Sequence, residues 1–174
     1  MSKKPEWPPA PYPPEPDPNE YEHLSEMERK NAGYPCDFSD PELVMIERKA
    51  RILIREFNDS HPEEDDHRQK ILSDLLHPMS NPSVHIEPPF YIDYGQNIKF
   101  GENVYVNFGC TFMDTAPITI GKNGLIAPGV SILTATHPLD PKARLKYALA
   151  KPISIGVDVW IGGRAVICPG WKVR

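Results

Sequence analysis

The stretch Ile92-Asp93-Tyr94-Gly95-Gln96-Asn97-Ile98-Lys99-Phe100-Gly101-Glu102-Asn103-Val104-Tyr105-Val106-Asn107-Phe108-Gly109-Cys110 places an aliphatic-type residue at every sixth position: Ile92, Ile98, Val104 and Cys110. After a two-residue insertion the beat continues at Ile118, lapses at Gly124 and returns at Val130. After a longer insertion it resumes at Ile153, Val159 and Ala165. Glycine and Asn or Asp fall between the beats, as in Gly95 and Asn97, Gly101 and Asn103, Gly121 and Asn123, Gly156 and Asp158. Six residues make one short strand and one tight turn. The aliphatic side chain points into a narrow core, and Gly, Asn or Asp supplies the turn conformation. Three such units close a triangular coil of about eighteen residues, and coils stack into a parallel β-helix. A β-sandwich explains so long a register poorly. Parallel crossovers are normally right-handed, and the spacing itself does not declare the hand of this coil.

Upstream of the repeat the period is helical. Ser25-Glu26-Met27-Glu28 has the form of a capping box, with Gly33 as the stop. A second helix starts at Asp40-Pro41, with Asp40 as N-cap and Pro41 at the first helical position. Leu43, Ile46, Ala50, Leu53 and Phe57 form its apolar stripe. A third helix follows the capping-box pattern Ser60-His61-Pro62-Glu63, with Ile71, Leu72, Leu75 and Leu76 as its apolar face. Helices this short need a surface to lie against. Before them, the segment from Pro5 to Pro18 is so rich in proline that an extended, disordered tail is expected. The chain therefore divides into a Pro-rich tail (1–22), a helical segment (23–80) and a repeat domain (81–174).

Composition narrows the function classes. The 174 residues carry a formal net charge of -5, which argues against a general nucleic-acid binder. No run approaches the ~20 apolar residues of a membrane helix. The N-terminus lacks an apolar h-region, so a cytoplasmic protein is expected. The three cysteines, Cys36, Cys110 and Cys168, show no CxxC spacing and read as reduced thiols. His61 and His67 lie in a charged, solvated helical segment, and His23, His77 and His85 have no companions at ligand spacing, so no metal is assigned.

The chain resembles the maltose and galactoside O-acetyltransferases, with the nodulation-type sugar acetyltransferases close by. The resemblance rests on Glu28-Arg29-Lys30-Asn31-Ala32-Gly33, Ile54-Arg55-Glu56-Phe57-Asn58, Pro88-Pro89-Phe90-Tyr91-Ile92-Asp93-Tyr94-Gly95, Asn107-Phe108-Gly109-Cys110, Ala127-Pro128-Gly129-Val130, Thr134-Ala135-Thr136-His137-Pro138 and Val159-Trp160-Ile161-Gly162-Gly163. It implies a mainly β fold, a left-handed parallel β-helix behind a short α-helical segment. It also implies acetyl transfer from acetyl-CoA to a sugar hydroxyl in a homotrimer.

His137 matches the family's catalytic histidine and lies where the sixfold beat breaks, so it can project outward. A neutral imidazole is a suitable base for a hydroxyl attacking a thioester directly. By the same resemblance Asp93, Asn107 and Asp114 contact the acceptor, and Asn107 also lies near the acetyl group. Tyr105, two residues before Asn107, is expected to wall the pocket. Trp160 and Gly163 fall on the coil that lines the CoA channel, where Gly163 would let the pantetheine arm approach the backbone; Trp160 also suits packing at a trimer seam. Asp37 lies near a substrate-contacting position but about one residue out of register.

The family continues past Pro169-Gly170, whereas this chain ends at Trp171-Lys172-Val173-Arg174. The resemblance then implies a β-helix truncated at its C-terminus with impaired CoA binding. Trp171 would occupy an inward position and overpack it. Two alternatives stay open: a non-sugar hydroxyl or amine acceptor, and a truncated, inactive scaffold or binding module.

Overall fold

The computed structural model describes residues 16–174. The Pro-rich tail lies outside the described residues up to position 15. Its end is not extended: Pro18–Tyr21 form a helical turn, α1, where Asp17 caps the Asn19 amide at 3.0 Å. Asp17-Pro18 is the cap-and-proline start also seen at Asp40-Pro41. Helix α2 (Glu26–Ala32) has the expected capping box at Ser25 and ends at Gly33 with φ 81°. Helix α3 (Pro41–Asp59) is capped by Asp40. Helix α4 (Asp65–Leu75) starts later than its sequence pattern suggests. Ser60 instead closes α3: its hydroxyl donates to the Phe57 carbonyl at 2.7 Å and accepts from Arg68 Nε at 2.7 Å.

The repeat domain is a left-handed parallel β-helix. Among the described residues one face stacks β1 (His85–Ile86), β4 (Tyr105–Val106), β7 (Leu125–Ile126) and β12 (Trp160–Ile161). The second face stacks β2 (Phe90–Ile92), β5 (Cys110–Met113), β8 (Ser131–Leu133) and β13 (Val166–Ile167). The third stacks β3 (Ile98–Phe100), β6 (Ile118–Ile120), β11 (Ile153–Ile155) and β14 (Lys172–Val173). A small antiparallel pair, β9 (Ala135–Thr136) with β10 (Leu149–Ala150), and helix α5 (Pro141–Arg144) make up the long insertion.

Strand pairing sets the register. Phe90 pairs with Cys110 and Ile92 with Phe112. The beat therefore passes through Phe90, and Ile92 is the second inward residue of the same strand. A two-residue excess thus follows β2 as well as β5. Each strand turns two residues inward, so Phe100, Val106, Phe112, Ile120, Ile126, Ile132, Ile155 and Ile161 join the expected row in the core. Trp171 stands in register with Ile153 but is 62% exposed, whereas Val173, in register with Ile155, packs against the core. The narrow prism has no room for an indole.

The corners are tight. Asn103, Asn123 and Asp158 adopt φ of 55°, 57° and 59° at equivalent corners, and Asn123 Nδ2 donates to Asp158 Oδ1 at 2.8 Å. Gly101, Gly121 and Gly156 stack in a column. A Cβ on Gly121 would lie 2.6 Å from the Gly156 carbonyl atoms.

The helices cap the first coil. Ala50, Ile54 and Phe57 of α3 join Ile71, Leu72 and Leu75 of α4 in the shared core. Asn58 covers the free edge of β2: Nδ2 donates to the Phe90 carbonyl and Oδ1 accepts its amide, both at 2.8 Å. The loop at 77–83 serves β3 in the same way, with His77 and Asn81 amides donating to the Ile98 and Phe100 carbonyls. An edge that would invite another strand is thus closed within the chain. The substitution Gly121→Ala must push backbone against backbone and is expected to cost ~1–3 kcal/mol. Thermal melting followed by circular dichroism should show a midpoint roughly 2–10 °C lower; an unchanged midpoint would mean the coils do not stack this closely.

Candidate active site

The departures from the six-residue beat fall at one corner. Residues 93–97 follow β2, residues 114–117 follow β5, and the insertion at 134–152 follows β8. This corner is knit by side chains. Asp114 accepts the amides of Asp93 at 3.1 Å and Tyr94 at 2.8 Å through one oxygen, and of Asn97 at 3.3 Å through the other. Asn97 Nδ2 returns a bond to the Asp114 carbonyl at 2.6 Å. Thr134 Oγ1 donates to the Met113 carbonyl at 2.6 Å and accepts the Ala116 amide at 2.9 Å. From Thr134 the chain leaves as β9, which delivers His137. The return strand β10 pairs with β9, and Ala148 bridges to Cys36 in the link between α2 and α3.

A cleft of about 270 Å³ opens between this corner and α3. Asp93 and His137 both line it. Glu47 and Arg51 of α3, an ion pair one helical turn apart, form a second wall. Phe38, Tyr94 and Met113 supply apolar surface, and Thr115 lies beside Asp93. Burial and the Glu47 charge raise the Asp93 carboxyl above its ordinary pKa, opposed by the Arg51 guanidinium and a hydrogen bond from Thr115. Beyond Arg51 a shallower groove of about 570 Å³ runs past Arg55, Ile54 and the exposed ring of Tyr91.

The other expected site residues lie elsewhere in the single chain. Tyr105 does not wall this cleft. It stands on the outer face of the first sheet, stacked on His85 at 5.5 Å between centroids, in a ladder continued by Leu125 and Trp160. Trp160 is 74% exposed there. Asn107 lies at the next corner, its Oδ1 accepting the Phe108 amide at 2.9 Å. Gly163 sits on the corner after β12, beside Gly162, whose absent Cβ would meet nothing within 4 Å. The open backbone there suits close approach by an extended ligand.

Asp114 requires a correction. It is 0% exposed, and its carboxylate is occupied by backbone amides, so it shapes the cleft without reaching an acceptor. Asp37 is likewise a turn residue, holding Ser39 through its amide at 2.9 Å and hydroxyl at 2.6 Å, and its neighbour Phe38 is the one that reaches the cleft. Sequence reading missed Glu47 and Arg51. Their spacing on α3 was the available signal, but it looks like any solvated helical ion pair.

Burial pushes the Asp114 carboxyl up to about 6, against the three amides that favour its charged form. The folded chain then holds this proton where the unfolded chain has released it, near pH 3.9. The contribution of Asp114 to stability is therefore largest below that value and is lost as pH rises towards 6. Compared with Asp114→Asn, the wild type should lose roughly 1–3 kcal/mol between pH 4 and 6.5 in urea melts. Parallel pH profiles for the two proteins would show that Asp114 does not titrate in this window.

A model of the maltose acetyltransferase hexapeptide capping motif matches residues 31–79, which span all of α3 and α4 and the links around them. The galactoside O-acetyltransferase of Escherichia coli K12 is 39% identical over 123 residues, 70% of this chain and 60% of its own length. The solved maltose O-acetyltransferase of Clostridium difficile 630 superposes with TM-score 0.83 at 36% identity, covering 86% of this chain and 80% of that one. The hexapeptide-repeat acetyltransferase of Vibrio cholerae, solved in complex with acetyl-coenzyme A, gives TM-score 0.76 at 32% identity over 86% and 80% of the two chains. With the capping helices, the stacked hexapeptide coils and the histidine-bearing insertion in place, these likenesses make the chain an acyltransferase belonging to the maltose/galactoside O-acetyltransferase family.

Proposed function

We propose that this protein transfers an acetyl group from acetyl-CoA to a sugar hydroxyl, with His137 as general base. The observation that carries this reading is the shared cleft of His137 and Asp93 at the corner where the coil pattern breaks. Acetyl-CoA supplies the activated acetyl group. The acceptor hydroxyl attacks the thioester carbonyl while the His137 imidazole takes its proton. The imidazolium then returns a proton to the departing thiolate, so the ring ends as it began. Asp93 orients the acceptor through its carboxyl oxygens. Glu47 and Asp93 make the cleft unwelcoming to an anionic acceptor, which favours a polyhydroxyl compound, and the groove past Arg51 leaves space for a second ring.

The proposal extends to a homotrimer. In one chain Asn107, Tyr105, Trp160 and Gly163 stand away from the cleft. A threefold assembly would bring that face of one copy to His137 of the next, with Asn107 near the acetyl group and Trp160 and Gly163 along the CoA arm. The exposed apolar ladder of Leu125 and Trp160 supports such packing.

Release of free thiol from acetyl-CoA, with maltose, glucose or a galactoside as acceptor, tests the reading. His137→Ala is expected to lower the rate ~100-fold or more; a rate equal to that of the wild type removes His137 from the mechanism. Asp93→Ala should raise the acceptor KM about tenfold, in line with loss of a charge-assisted hydrogen bond, and leave the acetyl-CoA KM unchanged. A change confined to the acetyl-CoA KM would place Asp93 outside the acceptor site.

A further inference from the structure

Lysine is almost never fully buried without partners, yet Lys30 of α2 is 1% exposed. Its ammonium donates to the Thr115 carbonyl and to Asn31 Oδ1, both at 3.1 Å, and lies 4.5 Å from the centre of the Tyr94 ring. A carbonyl, an amide oxygen and a π-face satisfy a charge that would otherwise be costly to bury. Tyr94 and Thr115 both line the His137 cleft. Lys30 therefore reaches from the helical segment beneath the cleft wall and grips two adjacent turns of the broken corner.

The grip connects to His137 through hydrogen bonds along the corner. Ala116, next to Thr115, donates its amide to Thr134 Oγ1, and Thr134 also holds the Met113 carbonyl. Thr134 immediately precedes β9, and His137 immediately follows it. On the return side, Cys36 bridges to Ala148, and a Cβ on Gly33 would lie 3.0 Å from the Ala150 carbonyl. Residues 30–36 thus hold both the cleft wall and the returning arm of the histidine hairpin.

We propose that Lys30 is a positioning residue for acetyl transfer: by gripping the Thr115 carbonyl and the Tyr94 ring it fixes the wall against which His137 and the acceptor are aligned. This rests on the reading of His137 as the base. Lys30 touches neither substrate nor the imidazole, so its effect is on geometry. A displacement of the wall by a fraction of an ångström separates reacting groups that must lie within near-attack distance.

Steady-state assays on the full chain compare the wild type with Lys30→Met and Lys30→Arg, using acetyl-CoA and whichever of maltose, glucose or a galactoside the wild type acetylates. Lys30→Met fills the same space without donors or charge. In its folded fraction, measured by circular dichroism, kcat should fall ~10–100-fold. The acetyl-CoA KM should stay within about twofold, and hydrolysis of acetyl-CoA should rise relative to transfer, as water competes with a misaligned acceptor. Lys30→Arg keeps charge and donors and should recover most of the rate. A Lys30→Met kcat within about twofold of wild type overturns the proposal. So does a loss that merely tracks the folded fraction in both variants, or a failure of both to fold, which would make Lys30 a folding residue. Equal rates for wild type and His137→Ala would instead sink the base reading, an outcome separable from any result at Lys30.

Discussion

The in-register backbone ladder between coils is the constraint on which the molecule depends. Parallel strands stack only if each coil returns to the height and phase of the one before it. The prism admits two inward side chains per strand, and its corners come so close that Gly101 and Gly121 leave no space for a Cβ between layers. Any additional residue must be expelled outward. The pairing of Phe90 with Cys110 and of Thr111 with Ser131 shows where that happens: after the first three strands of the second face, β2, β5 and β8. The same corner takes the short excess in two coils and the long insertion in the third. A rigid scaffold thereby creates a projecting, irregular edge, and Asp93 and His137 both stand on it.

The irregular corner leaves the regular hydrogen-bond pattern, so its backbone groups need other partners. Asp114, Asn97 and Thr134 provide them from within the β-helix. Lys30 provides one from the helical segment. The helices thus have two tasks. Asn58 and the turn at 77–83 close the edge of the first coil. The link through Lys30, Gly33 and Cys36 braces the corner that holds His137. Helix α3 joins them, since it buries Phe57 against the coils and presents Glu47 and Arg51 to the cleft.

Much of this was legible in the residues. The beat from Ile98 to Ala165 named one inward row, and Asn103, Asn123 and Asp158 take the left-handed turn conformations that their residue types favour. The caps at Ser25 and Asp40 formed as read. Two readings failed for a common reason, competition for a polar side chain. Ser60 was drawn into closing α3, and Asp114 into capping the turn at 93–97. An acidic residue at a family position does not reveal whether its oxygens face a ligand or the backbone. Trp171 was read as inward because the period placed it there, but volume overruled period.

The sequence by itself determined the parallel stacking, the helical start and the histidine at the break, because periodicity and capping are local properties that a single chain of residues displays. It could not determine that Glu47 and Arg51 face Asp93, that Lys30 lies under Tyr94, or that Asn107 and Tyr105 stand on a different face from His137. Those relations join residues far apart in the chain. They follow from how many residues each coil expels and from how α3 lies across the first coil, and both are settled only when the layers pack.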